Sequence, residues 1–197
     1  MLKKPLVFPE GEFSAYLYDC DGTLADTMGP HVEAWVEECQ SRGVNLDGKV
    51  IHELAGMPAV PTVREINRRY GSDLNPEEIA QAKENRFFDH YLHRVKPIEA
   101  LVNHLKKAAI AGKRIAVVSG GRKRVVKETL KILGISDLVE VVICAEDVKK
   151  GKPDPEPFLM AAAALRVKPS ECLVFEDADL GIESAERAGM KWVRVFT

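Results

Sequence analysis

Residues 13–27 read FSAYLYDCDGTLADT. The first six are a short apolar and aromatic run, and the next four, Asp19-Cys20-Asp21-Gly22, form an acidic turn. A buried strand stopped by a loop accounts for that change of character. Side chains alternate along a strand, so two carboxylates two residues apart at its end project to the same side, while Cys20 points into packing. Asp19 and Asp21 are therefore expected to share a small volume.

Four more apolar runs follow, at residues 114–120, 138–145, 172–178 and 191–197. Segments of helical periodicity separate them. Residues 98–111 put Leu101, Val102 and Leu105 on one face, and residues 124–133 do the same with Val125, Val126, Leu130 and Leu133 before Gly134. Residues 157–165 and 181–188 complete the set, the last closed by Gly189. Strands alternating with helices predict an α/β fold, a doubly wound parallel sheet covered on both faces. Sites in such sheets lie at the carboxyl ends of the strands. Asp19, Asp21, Ser119, Glu176 and Asp177 all terminate apolar runs.

Residues 27–95 differ, for they hold no convincing strand. Amphipathic helices are predicted over 31–39, 63–70 and 75–92, the last with Asn75 as N-cap and Pro76 at the first helical position. The expected organisation is a core of residues 1–26 and 97–197 with a small helical cap, 27–96, inserted after the first strand. Gly29-Pro30 and Lys96-Pro97 are the expected hinges.

Two like charges about 4 Å apart repel by roughly 4 kcal/mol at an effective dielectric near 20. If Glu176 and Asp177 lie beside Asp19 and Asp21, the carboxylates must protonate, splay or share a cation. An oxygen-ligated divalent ion, Mg2+ above all, removes the conflict. Taken alone, Asp-x-Asp-Gly is equally an ordinary turn, Ser119-Gly120-Gly121 another, and Lys152 a solvated lysine.

Composition narrows the classes. The chain has 197 residues, 46% apolar and 29% charged, with 28 Lys plus Arg against 30 Asp plus Glu, for a formal charge of -2. That balance excludes wholesale disorder and argues against a nucleic-acid partner. No apolar run nears the roughly 18 residues of a membrane span. Residues 1–10 lack the apolar centre of a secretion signal, so a cytoplasmic location is expected. Cys20, Cys39, Cys144 and Cys172 form no CxxC pair and are read as buried structural thiols.

The full string from Tyr18 to Thr27 resembles the first motif of the haloacid-dehalogenase superfamily of phosphohydrolases. Ser119-Gly120-Gly121, Lys152-Pro153-Asp154-Pro155 and the run Glu176-Asp177-Ala178-Asp179-Leu180-Gly181-Ile182 resemble the other three, in order. The helical insert, with His31 and Trp35, is similar to the cap of the subgroup that contains beta-phosphoglucomutase and sugar-phosphate phosphatases. Residues 173–191 look closest to its fructose-1-phosphate-phosphatase-like branch.

The resemblance implies Asp19 as nucleophile and Asp21 as general acid and base. It further implies Ser119 and the Gly120 amide as phosphate holders and Lys152 as the stabilising cation. Mg2+ would be held by Asp19, the Asp21 carbonyl and Asp177, with Glu176 in or next to the coordination sphere. In the cap, His31 and, on a looser alignment, Lys83 would bind substrate, while Trp35 is read as core. The mutase's phosphate-gripping cap arginine has no counterpart in residues 54–60, the nearest being Arg64, which tilts the expectation toward hydrolysis. His90 and His93 lack a third metal ligand, and Arg122-Lys123-Arg124 reads as a solvated helix face. Thr23 and Asp26 are read as turn formers. The expected activity is Mg2+-dependent hydrolysis of a small phosphate ester, a sugar monophosphate, through an aspartyl-phosphate, by a monomer or weak homodimer. Phosphomutase, inorganic pyrophosphatase and a catalytically silent binding protein are the rivals.

Overall fold

The structure, a computed structural model, describes residues 2–55 and 57–196. The strands are β1 (Ala15–Tyr18), β2 (Ala25–Asp26), β3 (Lys96–Pro97), β4 (Arg114–Val118), β5 (Val141–Ile143), β6 (Cys172–Glu176) and β7 (Lys191–Arg194). The helices are α1 (Met28–Ser41), α2 (Gly48–Glu53), α3 (Ala59–Tyr70), α4 (Pro76–Arg86), α5 (Glu99–Ile110), α6 (Lys123–Ile132), α7 (Glu156–Leu165) and α8 (Asp179–Arg187). The chain divides into two compact units, residues 2–26 with 96–196 and residues 27–95.

In the larger unit five strands form a sheet of order β5-β4-β1-β6-β7, with every pair parallel. Strands covered on both faces read as nearly continuous apolar runs, and these do. Alternation in β1 sends Ala15 and Leu17 into a cluster with Val118, Phe158, Leu165, Val174 and Met190. Tyr16 and Tyr18 take the other face, where their rings meet Phe175 and His104 of α5. Fully burying a side chain such as Phe158 or Leu165 stabilises the unit by roughly 1.5–3 kcal/mol. The apolar run at 138–145 forms a shorter strand than expected, because residues 136–138 turn as a 3-10 helix. A two-stranded antiparallel ribbon, β2 with β3, was not foreseen; it pairs Asp26 with Lys96 and so assigns Lys96 to this unit.

The smaller unit is all helix. Its core gathers Trp35, Cys39, Leu46, Ile51, Val63, Ile66 and Ile79. The Asn75 side chain accepts from the amides of Glu77 and Glu78, the N-cap its position predicts. The helix it starts stops at Arg86 rather than running to residue 92, giving way to a π-turn at Phe87–Tyr91 and a 3-10 turn at Leu92–Arg94. The expected hinge Gly29-Pro30 falls inside a helix. It lies in the first turn of α1, where proline's missing N–H is no loss. α2 was not anticipated; the Asp47 side chain caps it by accepting from the Lys49 amide. Gly56 of the 54–60 stretch lies outside the described residues. No helix among the described residues is long and apolar enough to cross a membrane. All four cysteines are buried and free.

Candidate active site

Parallel register sets Tyr18 beside both Val117 and Phe175, so the residues that follow each strand emerge along one edge of the sheet. The backbone stays tied for one more step: the Asp19 amide donates to the Phe175 carbonyl and the Ser119 amide to the Ile143 carbonyl, each at 2.9 Å. At that edge Asp19, Glu176 and Asp177 each offer a carboxylate oxygen within 4.8 Å of the others.

Lys152 reaches into the cluster from the loop ahead of α7. Its Nζ donates to Asp19 Oδ1 at 2.7 Å, Glu176 Oε2 at 2.6 Å and the Val118 carbonyl at 3.0 Å. An ammonium has three donors, and all three are used. The loop is itself held, since the Glu156 carboxylate accepts from the amides of Lys149 and Lys150, and Ser184 Oγ donates to the Asp154 carbonyl at 2.6 Å. The side chain of Lys152 is only 12% exposed, so it is no solvated lysine.

Burial dominates the electrostatics here. It pushes the Asp19 carboxyl well above the usual range, with Glu176 adding repulsion and Lys152 only partly opposing. Asp177 is pushed up to about 7, first by burial and then by Glu176. Burial alone would lower the Lys152 ammonium, but Asp19 and Glu176 together overrule it and hold it above the ordinary lysine range. One lysine therefore leaves negative charge uncompensated, and the donors left facing it are hard oxygens. That is the donor set an oxygen-seeking divalent ion takes.

Asp21 does not join the triple. Its Oδ2 lies 3.5 Å from Ser119 Oγ, which also accepts from the Gly121 amide at 3.0 Å. β1 ends at Tyr18 and Asp21 sits in the turn beyond it, bridged to Ala25, yet its charge still acts on Asp19 and helps to raise that carboxyl. Thr23 is more than a turn former: its hydroxyl donates to Asp177 Oδ1 at 3.2 Å. Two glycines leave room for carboxylates. A Cβ on Gly22, whose φ is +84°, would stand 2.3 Å from Asp177 Oδ2, and one on Gly181 would stand 2.1 Å from the carboxyl carbon of Glu176. Nothing in the local sequence signals the second contact, because Gly181 lies inside a helix.

In the helical unit, Lys83 is buried and its Nζ lies 2.9 Å from His31 Nδ1. It also stands over the Trp35 and Phe87 rings at 5.2 and 5.6 Å, while His31 stacks on Phe87. A protonated lysine only donates, and in that state Nδ1 is the acceptor. Of the basic run after Gly121, Lys123 is tied to acid: its Nζ pairs with Asp147 and its amide donates to Glu146 at 2.9 Å.

A carboxylate-rich edge served by a buried lysine, on a parallel sheet with a helical insertion after the first strand, defines the class of haloacid-dehalogenase-type hydrolases. The family model for haloacid dehalogenase-like hydrolases matches residues 16–195, and the chain belongs to that family. It is 34% identical over 184 residues to the fructose-1-phosphate phosphatase YqaB of Escherichia coli, covering 93% of this chain and 96% of that one. Among solved structures it is similar to CbbY from Rhodobacter sphaeroides in complex with phosphate (TM-score 0.82, 26% identity, 91% of this chain and 84% of that one). The beta-phosphoglucomutase of Clostridium difficile is similar too (TM-score 0.79, 26% identity, 91% and 83% covered). The chain is a phosphatase-type hydrolase of the beta-phosphoglucomutase-like subgroup.

Proposed function

We propose that the protein hydrolyses a small phosphorylated metabolite, a sugar monophosphate, with Asp19 as nucleophile and Mg2+ as cofactor. What carries this reading is the cluster of Asp19, Glu176 and Asp177, with Lys152 bound to the first two, and the Asp21 carboxylate beside Ser119. Asp19 and Asp177, with the Asp21 carbonyl and Glu176 next to them, would hold the ion, which when bound supplies positive charge to the phosphoryl oxygens and keeps Asp19 ionised.

The protein's own groups divide the remaining work. An oxygen of Asp19 attacks phosphorus, the bond to the leaving alkoxide breaks, and Asp21 gives that alkoxide its proton. Water then attacks the aspartyl-phosphate while Asp21 takes a proton back. Ser119 Oγ and the Gly120 amide hold phosphoryl oxygens, and Lys152 steadies the charge that spreads over them. His31 and Lys83 are assigned to recognition of the rest of the substrate.

Hydrolysis is preferred to phosphomutase action because a mutase must grip a second phosphate. The arginines of the helical unit, Arg42, Arg64, Arg68, Arg69, Arg86 and Arg94, are each paired with a glutamate. Free, buried cysteines suit a reducing, cytosolic setting.

Phosphate release from a panel of sugar monophosphates, nucleotides and pyrophosphate, with Mg2+ and with EDTA, tests the proposal. Metal-dependent release confined to sugar phosphates is expected. Conversion of beta-glucose 1-phosphate to glucose 6-phosphate without phosphate release, or release that EDTA leaves untouched, would overturn it.

A further inference from the structure

Asp177 rides on a short connection between the end of β6 at Glu176 and the start of α8 at Asp179. Thr23 restrains its carboxylate from one side. The peptide is held from another side, by a residue no motif contains. Arg194 of β7 donates Nη1 to the main-chain carbonyl of Asp177 at 3.0 Å and Nη2 to Asp179 Oδ1 at 2.5 Å. Sheet register fixes where Arg194 stands: it is paired with Glu176, and the next amide, that of Val195, donates to the Glu176 carbonyl at 2.8 Å.

The Asp179 side chain is 91% exposed, and an ion pair so open to solvent contributes little to stability. The carbonyl contact is the informative one. A guanidinium presents planar donors in a fixed fork, so it grips the carbonyl and the first residue of the following helix from two separate nitrogens, a geometry that the single nitrogen of a lysine does not reproduce. That contact restrains rotation of the peptide after Asp177, while Thr23 holds the carboxylate.

We propose that Arg194 is a positioning residue for the metal site, acting through the Asp177 backbone. This rests on the reading of Asp19 and Asp177 as metal holders. Groups that orient ligands without touching the ion typically change metal affinity 10–100-fold when removed.

Calorimetric titration of Mg2+ into the metal-free, substrate-free full chain tests it. Arg194→Ala should weaken Mg2+ binding by about tenfold or more, with the substrate KM at saturating Mg2+ unchanged. Arg194→Lys, which keeps the charge but not the fork, should weaken it by at least about threefold. Asp179→Asn, which removes only the exposed ion pair, should stay within about threefold of wild type. Wild-type Mg2+ affinity in Arg194→Ala overturns the proposal. Should that variant fail to fold by circular dichroism, wild-type affinity in Arg194→Lys does so. Asp177→Asn separates the two readings: unweakened Mg2+ binding there would sink the metal site itself, whereas weakened binding there with intact binding in the Arg194 variants sinks only the role of Arg194.

Discussion

The two units handle charge in opposite ways. In the sheet unit, Lys152 is buried with Asp19 and Glu176, and the acids outnumber the base. In the helical unit, arginines meet glutamates mostly near the surface, as in Arg94 with Glu33 and Arg68 with Glu65, and Lys83 lies inside among aromatic rings and an imidazole. Solvent screens the surface pairs, so they cost little and contribute little. Buried, unbalanced charge is expensive to assemble, and persists where a ligand or an ion completes it. That contrast supports the proposal that the reaction belongs to the sheet unit and recognition to the helical unit.

The hardest blow to that contrast comes at Asp19. Asp19→Asn should lower turnover by at least about a thousandfold while circular dichroism and melting stay close to wild type. Phosphate release at the wild-type rate would take the chemistry out of the sheet edge.

Next comes Gly181→Ala. Alanine favours a helix over glycine by about 1 kcal/mol, so the helix gains, yet the new methyl would run into the Glu176 carboxylate. Glu176 must swing, and Lys152 loses its 2.6 Å partner. kcat should fall about 10–100-fold with little change in KM, and adding Glu176→Asp, a carboxylate one methylene shorter, should restore part of it. Full activity in the single variant would mean the lysine needs no such brace.

The helical unit should answer differently. Lys83→Met keeps the apolar stem among Trp35 and Phe87 but removes the charge. It should raise KM for a sugar phosphate about tenfold while leaving turnover of p-nitrophenyl phosphate within about twofold. An equal loss on both substrates would erase the division of labour.

The smallest effect concerns stability alone. His104 accepts or donates at Nδ1 with the Tyr18 hydroxyl at 2.8 Å and packs on Tyr16, Phe8 and Phe175. Burial, helped by Lys107, holds its imidazole below the ordinary 6.5. The unfolded chain therefore takes up a proton before the native one does. The contribution of His104 to stability should be full above about pH 6.5 and decline as pH falls below it. His104→Gln should flatten that decline in urea melts at pH 7.5, 6.5 and 5.5, and an unchanged slope would show that another group is responsible.

Much of this was legible in the chain. Apolar runs and helical periods are local properties, so the parallel sheet and the all-helical insertion can be read from residues 13–18, 114–120, 172–178 and 31–92 without a structure. Where the reading missed, a non-local term decided. The helix expected to reach residue 92 stays helical but changes from α to π at Phe87 and to 3-10 at Leu92. Asp19 and Asp21 both lie beyond the end of β1, so strand alternation is not what places them.

The order of chemical side chains along the chain, and hence the class of reaction, is a property of the sequence by itself, because the acids and the serine stand at the ends of apolar runs that must become strands, with Lys152 in a loop between two of them. Which of them touch is not. Lys152 reaches Asp19 across 133 residues of chain, and Thr23 reaches Asp177 across 154. Contacts at such separations depend on strand order and register, which are set when the whole sheet closes around its core, and only the folded molecule carries that information.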